Sequence, residues 1–316
     1  MNTPRQDFDL AVAWNWEFDR QFIRCIESAA HARGLTTHFV DDRNLAETLS
    51  RLRDESLFFR VFLDRASDED ERFLPLVRAL YKTALASPGN DTIRIVNPPD
   101  LLHRASDKAT MHLEFLSHGI HVPFTIIISP YNHKREVELS LSDLALLGRP
   151  FIIKPANTTG GGVGVVLGAE SLKDVIETRQ HHKNDKYLLQ ERVIPVCFDK
   201  HRGWFRVFYA FGLVIPCWWN DQTHVYEELT PEDEEAFGLL PLRSVAATIR
   251  QICGLDFFST EVAMTSTEKL VVVDYVNEMC DMRLKSSHSD GVPDTIVLRI
   301  AEAFADFAAS HRSRVA

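Results

Sequence analysis

The first hundred residues alternate short apolar segments with amphipathic ones, and this alternation restricts the fold more than any other feature of the chain. Segments that read as strands have the sequences FDLAVAW, THFV, LFFRVFL and TIRIV, and segments with helical periodicity separate them. Each intervening helix returns the chain to the same edge, so successive strands run parallel. We therefore predict an open α/β domain with a mostly parallel sheet over residues 1–104.

The first strand-to-helix turn, AWNWEFDRQF, contains no glycine. A dinucleotide site needs glycines there, because backbone N–H groups must approach the pyrophosphate closely. The first domain is therefore predicted to be Rossmann-like but not to bind NAD. From Phe151 onward, short strands separated by turns indicate antiparallel pairing instead. After the first domain we expect two α+β units, over residues 105–191 and 192–316.

Charge and cysteine content exclude several classes of protein. The formal net charge of −10 opposes nonspecific binding to nucleic acid or to an anionic membrane surface. The sequence shows no secretory signal pattern and no apolar run of membrane-spanning length. Its five cysteines are scattered and form no CxxC pair, which argues against a disulfide framework or a zinc site. We expect a cytoplasmic protein.

The segment FIIKPANTTGGGVGVV places a lysine at the end of an apolar strand and a glycine loop directly after it. The pattern is neither a Walker loop nor a dinucleotide fingerprint, since both require a strand-to-helix setting. Instead, Lys154 and the loop Thr158–Gly162 lie in a predicted hairpin, where backbone N–H groups can approach an anion. The alternative interpretation is a flexible hairpin turn with no ligand.

Two apolar strands near the end of the chain carry acidic residues. Glu261 lies in FSTEVAM, and Asp274 and Asn277 lie in LVVVDYVNEM, with a short turn between the strands. Burying these carboxylates together without a cation would cost several kcal/mol, roughly, and Mg²⁺ prefers oxygen ligands. The sequence therefore predicts a magnesium site, while a solvated strand face is the alternative interpretation.

Two further segments are weak signals when taken alone. Lys108 lies at the start of a helix that Ser106 or Asp107 can cap and that ends before GIHVPFT. In YLLQERVIPVCFDK, a strand ends at Gln190 and Glu191 and continues as an extended segment with Asp199 beyond it. Exposed backbone groups of such a segment can match an adenine edge, and a carboxylate can accept the ribose hydroxyls.

Taken together and in this order, these motifs resemble the ATP-grasp superfamily, in particular carboxylate–amine ligases with a glutathione-synthetase-like ATP-binding fold. The resemblance covers nearly the whole chain, from the Rossmann-like domain (the pre-ATP-grasp domain of this family) through both α+β units, and it implies a nucleotide held between those two units. The residues it assigns to the nucleotide are Lys108, Lys154, Thr158, Thr159, Gly160, Gly161, Gly162, Gln190, Glu191, Val193, Ile194, Asp199 and Arg206.

The resemblance also implies individual roles. Lys108, Lys154 and Arg206 would contact phosphates, and the glycine loop would close over them. Glu191 and Ile194 would hold adenine through their backbones, and Asp199 would bind the ribose. The residues implied to bind one or two Mg²⁺ ions, with Mn²⁺ as an alternative, are Glu261, Asp274 and Asn277.

The chain departs from the family pattern at two places. Many members have an arginine two residues before the first metal-binding acid, where this chain has Ser259, and Arg283 is our candidate for the missing cation. The spacing between the second acid and the asparagine is also stretched, to Asp274-Tyr-Val-Asn277. Glu278 is therefore an alternative to Asn277 as a metal ligand.

The function implied is an ADP-forming ligase that activates a carboxylate as an acyl phosphate and joins it to an amine or similar nucleophile. Lys154, Arg206 and Arg283 are the expected catalytic cations. The substrates would be small molecules or peptides, and a homodimer is left open. The alternatives are a small-molecule kinase on the same scaffold and a noncatalytic nucleotide-binding protein, because function resides in the site and not in the fold.

Aromatic residues of the segment CWWNDQTHVYEELTPED would border the acceptor pocket, or else pack in the core.

Overall fold

The computed structural model describes residues 4–86, 92–157 and 164–312 of the 316-residue chain. The described strands form three main sheets and one two-stranded ribbon. The first sheet is parallel and the other two are antiparallel, as the change of pattern along the sequence predicts. The predicted fold class is thus confirmed.

The first sheet has four parallel strands in the order β2-β1-β3-β4. Its strands are β1 (Gln6–Trp14), β2 (Thr37–Val40), β3 (Leu57–Arg65) and β4 (Arg94–Val96), and its connecting helices are α1 (Arg20–Ala32), α2 (Leu45–Arg53) and α3 (Leu74–Ala86). Alternate residues of β1 face opposite layers, since Leu10 and Val12 pack with α1 while Ala11 and Ala13 pack with α2 and α3. Both faces of this sheet are therefore covered.

Two helices lead from the first sheet to the second. They are α4 (Pro99–Ser106) and α5 (Lys108–Ser117), and the Asp107 carboxylate caps α5 by accepting from the backbone N–H groups of Ala109 and Thr110. The second sheet has the order β5-β8-β6-β7. Its elements are β5 (Thr125–Ile128), α6 (Leu141–Leu147), β6 (Phe151–Pro155), β7 (Val166–Ala169), α7 (Leu172–Thr178) and β8 (Tyr187–Gln190).

The third sheet has five antiparallel strands in the order β13-β12-β11-β14-β15. The ribbon β9 (Cys197–Phe198) and β10 (His201–Arg202) precedes it. The remaining elements are β11 (Trp204–Ala210), β12 (Leu213–Trp219), β13 (Tyr226–Glu228), α8 (Pro231–Ala236), α9 (Pro241–Cys253), β14 (Phe257–Met264), β15 (Leu270–Asn277) and α10 (Asp294–Arg312). The predicted domain boundaries stay a prediction; position 104 lies within α4 and position 191 directly follows β8.

The last helix, α10, joins the first and third sheets into one core. Phe304 of α10 is fully buried and meets the rings of Phe22, Phe211 and Phe257 edge-on, with centroid distances of 6.1, 4.8 and 5.1 Å. Edge-to-face contacts of this kind add to the free energy gained from burying the rings. The third sheet is therefore anchored to the first domain through aromatic packing.

A buried arginine makes a second connection between these parts. Arg65, at the end of β3, donates to both carboxylate oxygens of Asp19, with N–O distances of 2.6 and 2.7 Å. The same guanidinium donates to the carbonyl of Cys280, beyond β15, at 3.0 Å.

None of the helices in the described ranges combines the length and the apolarity needed to cross a lipid bilayer.

We predict that Phe304→Ala lowers the free energy of unfolding by about 3–5 kcal/mol, because it removes a fully buried ring and leaves a cavity between the two sheets. Urea denaturation measures this change. The control is Leu298→Ala in the same helix, whose side chain is 48% exposed and whose loss should matter by less than about 0.5 kcal/mol. Equal effects of the two substitutions would contradict the bridging role of α10.

Candidate functional site

Lys154 connects the second and third sheets. Its side chain is only 7% exposed, and its Nζ donates to the carbonyl oxygen of Val273 on β15 at 3.0 Å. The same ammonium lies 5.1 Å from the centroid of the Tyr275 ring, which is a cation–π distance. The two sheets therefore face each other across this lysine, and we call the region around it the inter-sheet site.

Irregular pairing between β14 and β15 explains why the Val273 carbonyl is free to accept this hydrogen bond. Val262 pairs with Val272 but Glu261 pairs with Asp274, so Val273 is an extra residue in the ladder. A second irregularity follows, since Ser259 pairs with Asn277. Bulges of this kind interrupt ladder hydrogen bonds and redirect side chains, often beside functional sites.

Three charged residues lie in one row across the third sheet. Arg206 on β11 pairs with Glu261 on β14, and Glu261 pairs with Asp274 on β15. Directly paired residues of antiparallel strands project to the same face, so all three side chains share one surface. The Arg206 Nη2 donates to Glu261 Oε1 at 2.5 Å, and Trp204 Nε1 donates to Glu261 Oε2 at 3.1 Å.

The surroundings of Arg206 hold its guanidinium in the charged form. Burial alone would lower the pKa of Arg206, but Glu261, Tyr226, Asp274 and Cys280 together outweigh it, and the pKa lies above its ordinary value. The guanidinium also lies 5.1 Å from the ring centroid of Trp219. The Asn277 side-chain amide is oriented so that both its oxygen and its nitrogen have partners. Its oxygen accepts from Arg206 Nη1 at 3.1 Å, and its nitrogen donates to the carbonyl of Met279 at 3.1 Å.

The pKa of Lys154 is shifted in the opposite direction, because there the effect of burial prevails. Desolvation lowers its pKa from 10.5 to about 8, and Asp274 and Glu261 oppose that shift while Lys108 adds to it. The ammonium is therefore charged below pH 8 and loses its proton as the pH rises through that value. These long-range effects also show that Lys108, Lys154, Glu261 and Asp274 lie close enough to influence one another.

The oxygen donors of the inter-sheet site match the preferences of Mg²⁺, which takes carboxylate and amide oxygens. Within the described ranges, the Asp274 carboxylate accepts no hydrogen bond and forms no ion pair, whereas both oxygens of Glu261 are occupied by Arg206 and Trp204. No group of three or more His, Cys, Asp or Glu side chains in those ranges is arranged to hold a metal. Asp274 is thus the carboxylate most available to a cation.

The segment after β8 crosses from the second sheet to the third. Glu191 Oε1 accepts from the Phe124 N–H at 2.7 Å, and the Glu191 N–H donates to the Phe124 carbonyl at 2.9 Å. The Val196 N–H then donates to the carbonyl of Met264 at 2.8 Å. Between these anchors, Ile194 is 76% exposed although it is apolar. An exposed apolar residue on an extended backbone is suited to a planar ring such as a base.

Asp199 and Arg283, two residues singled out from the sequence, lie in loops and not on the strands that carry Lys154, Arg206 and Asp274. The loop Thr158–Gly162 falls outside the described residues. Asp199 is exposed, in the turn of the β9–β10 ribbon, with a left-handed backbone (φ 49°). Arg283 donates to the carboxylates of Asp281 and Asp290 at 2.8 and 2.9 Å, so its guanidinium is already paired within its own loop.

Lys108 lies closer to the inter-sheet site, at the first position of α5. Its backbone N–H donates to the carbonyl of Ala156, two residues after Lys154, at 3.0 Å. Its charge also opposes the effect of burial on Glu278, whose pKa is raised by desolvation and by the neighbouring carboxylates of Asp68 and Asp274. Lys108 and Glu278 therefore both border the site.

The aromatic segment proposed to border an acceptor pocket divides into two parts. Trp218 is a core residue, stacked on His201 with a centroid distance of 4.6 Å and packed against Phe205. Trp219 faces the site instead, because it lies against Arg206 and stacks on His224 at 5.5 Å. Trp218 therefore packs in the core, whereas Trp219 lines the inter-sheet site.

Sequence analysis did not identify three residues that shape the site, namely Trp204, His112 and Tyr275. Trp204 binds Glu261, and the Tyr275 hydroxyl lies 2.7 Å from His112 Nδ1 next to Lys154. The stretched spacing Asp274-Tyr-Val-Asn277 was the available signal, because an extra residue in a strand indicates a bulge. No sequence signal pointed to His112 or to Trp204.

Comparison of the sequence with protein families and with curated proteins finds no match. Comparison of the structure does find similar folds. A RimK domain ATP-grasp protein from Sphaerobacter thermophilus has a TM-score of 0.63 at 21% identity, covering 94% of this chain and 98% of its own. The ATP-grasp ligase PsnB, complexed with minimal precursor, Mg and ADP, has a TM-score of 0.62 at 14% identity, covering 97% and 99%.

D-Alanine–D-alanine ligase from Bacillus anthracis, complexed with ATP, is a third protein of similar fold. Its TM-score is 0.61 at 13% identity, and the match covers 97% of each chain. The match extends over nearly the full length of all three proteins, so it includes the first domain as well as the two α+β units. The chain therefore has the ATP-grasp fold, as the resemblance of its motifs implied.

We predict that Glu261→Gln lowers the free energy of unfolding by about 3 kcal/mol in the absence of ligands, because it leaves the buried Arg206 without its carboxylate. The double variant Arg206→Met/Glu261→Leu should recover most of that loss, since it removes both charges. Urea denaturation measures both. The exposed pair Lys173–Glu177 is the control, and Glu177→Gln should change stability by less than about 0.5 kcal/mol. A Glu261→Gln effect as small as the control would refute the buried-pair interpretation.

Proposed function

We propose that this protein is an ATP-dependent ligase that activates a carboxylate as an acyl phosphate and joins it to an amine. The observation that carries the proposal is the inter-sheet site itself, where Lys154 and Arg206 share one space with Asp274. Phosphoryl transfer between two anions needs cations that neutralise their repulsion and a metal ligand that positions the phosphates. These three groups supply both requirements.

The similar structures support this proposal by what they contain. PsnB was determined with Mg and ADP, and D-alanine–D-alanine ligase with ATP. A nucleotide with Mg²⁺ at the same place in this fold would meet oxygen donors from Asp274, Glu261 and Asn277 and the cations of Lys154 and Arg206. Because Lys154 is only 7% exposed, nucleotide entry requires the second sheet to move away from the third.

In the proposed reaction, a carboxylate oxygen of the substrate forms a bond to the γ-phosphorus while the bond to the ADP oxygen breaks. An amine nitrogen then bonds to the carbonyl carbon while the bond from that carbon to the phosphate oxygen breaks, and inorganic phosphate and the amine proton leave. Mg²⁺ supplied with ATP would neutralise phosphate charge. Lys154 and Arg206 would bind the transferring phosphoryl group, and Lys108 would supply a third cation from α5. The cations act by electrostatic stabilisation and need not exchange protons.

The chain must also protect the acyl phosphate from water. The contact between Lys154 and Val273 closes the second sheet onto the third. We propose that the glycine loop Thr158–Gly162 covers the phosphates when the nucleotide is bound. The acceptor would approach from the side of Trp219, which lies beside Arg206. Small-molecule and peptide substrates are both compatible with this arrangement.

The deciding experiment is incubation with ATP, Mg²⁺ and hydroxylamine across a panel of carboxylic acids, amino acids and short peptides. Hydroxamate formation together with ADP release would demonstrate acyl-phosphate chemistry and identify the donor. Transfer of γ-phosphate label to a stable product would instead assign a kinase. Absence of ADP release with every substrate of the panel, despite ATP binding, would favour a noncatalytic role.

We predict that Asp274→Asn lowers kcat roughly 10²- to 10³-fold, because it removes the carboxylate most available to Mg²⁺ without changing side-chain volume. The melting temperature should stay close to that of the wild type, and much of the nucleotide affinity should remain. Glu268→Gln, in the exposed turn of the same hairpin, is the control and should leave kcat unchanged. Near-wild-type turnover of Asp274→Asn would remove this residue from the metal site.

We also predict that ATP affinity decreases as the pH rises from 7 to 9. The pKa of Lys154 is lowered to about 8, so the ammonium that attracts phosphate is present below that pH and lost above it. The affinity should fall by at most tenfold, roughly, per pH unit, since one proton is linked to binding. Isothermal titration calorimetry measures it. Lys154→Ala should bind weakly at every pH, and a flat wild-type profile would contradict the role of Lys154.

A further inference from the structure

A chain of polar side chains lies buried behind Lys154, on the far side of the Tyr275 ring. The Tyr275 hydroxyl contacts Gln190 Nε2 at 3.1 Å and His112 Nδ1 at 2.7 Å, and Gln190 Nε2 also contacts Thr125 Oγ1 at 3.2 Å. Tyr275 and Gln190 are fully buried, and His112 is nearly so. Polar groups in a core are costly unless they are satisfied, so their presence beside a nucleotide site needs an explanation.

The direction of each hydrogen bond in this chain is fixed by its neighbours. Thr125 donates its hydroxyl hydrogen to the carbonyl of Pro123 at 2.9 Å, so its oxygen must accept from Gln190. The amide of Gln190 thereby faces Thr125 and Tyr275 with its nitrogen, and the Tyr275 oxygen accepts from it. The Tyr275 hydroxyl hydrogen is then directed at His112 Nδ1. Both bonds lock the rotation of the ring.

The His112 imidazole is neutral in this arrangement. Its Nδ1 is an acceptor, and burial followed by the charge of Lys154 lowers the pKa of His112 to about 4. His112 therefore adds no second positive charge beside the ring at neutral pH. The face of the Tyr275 ring is directed at Lys154, with its centroid 5.1 Å from Nζ, and Val273, two residues earlier on the bulged strand, accepts the Lys154 hydrogen bond.

We propose that Tyr275 is a positioning residue for ATP, which holds the Lys154 ammonium at the phosphate end of the inter-sheet site while His112 and Gln190 fix the ring. Among the described residues, Lys154 has one hydrogen-bond acceptor, the Val273 carbonyl, and no ion-pair partner. The ring thus stabilises the ammonium charge without accepting a hydrogen bond from it. The remaining N–H groups of Lys154 stay available for phosphate oxygens. This inference rests on the proposed function, since it requires that ATP binds here.

A double-mutant cycle tests the inference, with ATP–Mg²⁺ affinity measured by calorimetry at pH 7. Tyr275→Leu removes the ring and should weaken ATP binding roughly tenfold. Tyr275→Phe keeps the ring but removes the hydroxyl that His112 and Gln190 hold, and it should weaken binding roughly threefold. In a Lys154→Ala background, Tyr275→Leu should change affinity by less than about twofold, because its effect passes through the lysine.

The matched control is Phe115→Leu. Phe115 is fully buried in the same cluster and meets the Tyr275 ring edge-on at 5.4 Å, and no contact joins its ring to Lys154. It should lower the melting temperature as Tyr275→Leu does but leave ATP affinity within about twofold of wild type. A role in core packing alone would make these two variants alike in both measurements.

Two results would overturn the inference. One is an effect of Tyr275→Leu on ATP affinity that is as large in the Lys154→Ala background as in the wild type. The other is a loss of affinity in Phe115→Leu equal to that in Tyr275→Leu. Both leave the proposed function standing, because they require that the wild-type protein binds ATP. Failure of the wild type to bind ATP–Mg²⁺ would refute the proposed function itself.

Discussion

The hydrogen bond from Lys154 to the Val273 carbonyl is the contact on which the inter-sheet site depends. An ammonium buried between two sheets is stable only if the protein replaces the water that it has lost. The bulge in β15 frees a carbonyl for this purpose, the Tyr275 ring adds a second favourable contact, and the acids Asp274 and Glu261 attract the charge at longer range. Cations and carboxylates therefore stabilise one another in one place, most directly in the buried pair of Arg206 and Glu261.

Local sequence pattern was sufficient for the architecture. Alternation of apolar strands and helices predicts the parallel first sheet, because a helix between two strands forces the crossover. The antiparallel strands from Phe151 onward follow equally from short turns, and β6, β8, β14 and β15 lie where the apolar segments were read. The pairing of the two strands that carry Glu261 and Asp274 also follows from sequence, since the turn between them is short.

The contacts within the site could not be predicted from local sequence pattern. Register and side-chain rotamers decide that Glu261 binds Arg206 and Trp204, and no local pattern encodes either. Arg283 was chosen for its charge, but the neighbouring Asp281 and Asp290 occupy its guanidinium, as any nearby carboxylates can do. His112 lies more than a hundred and fifty residues from Tyr275 in the chain, so only the folded structure brings the two together.

The anchoring of α10 has a mechanical consequence. Because this helix and the hydrogen bond from Arg65 to the Cys280 carbonyl join the first sheet to the third, the nucleotide entry that we propose would move the second sheet against those two together. Swinging outward would return Lys154 to water, where the pKa of a lysine is near 10.5 instead of about 8. Such an opening would therefore be coupled to proton uptake at mildly alkaline pH, and a lower pH would favour it.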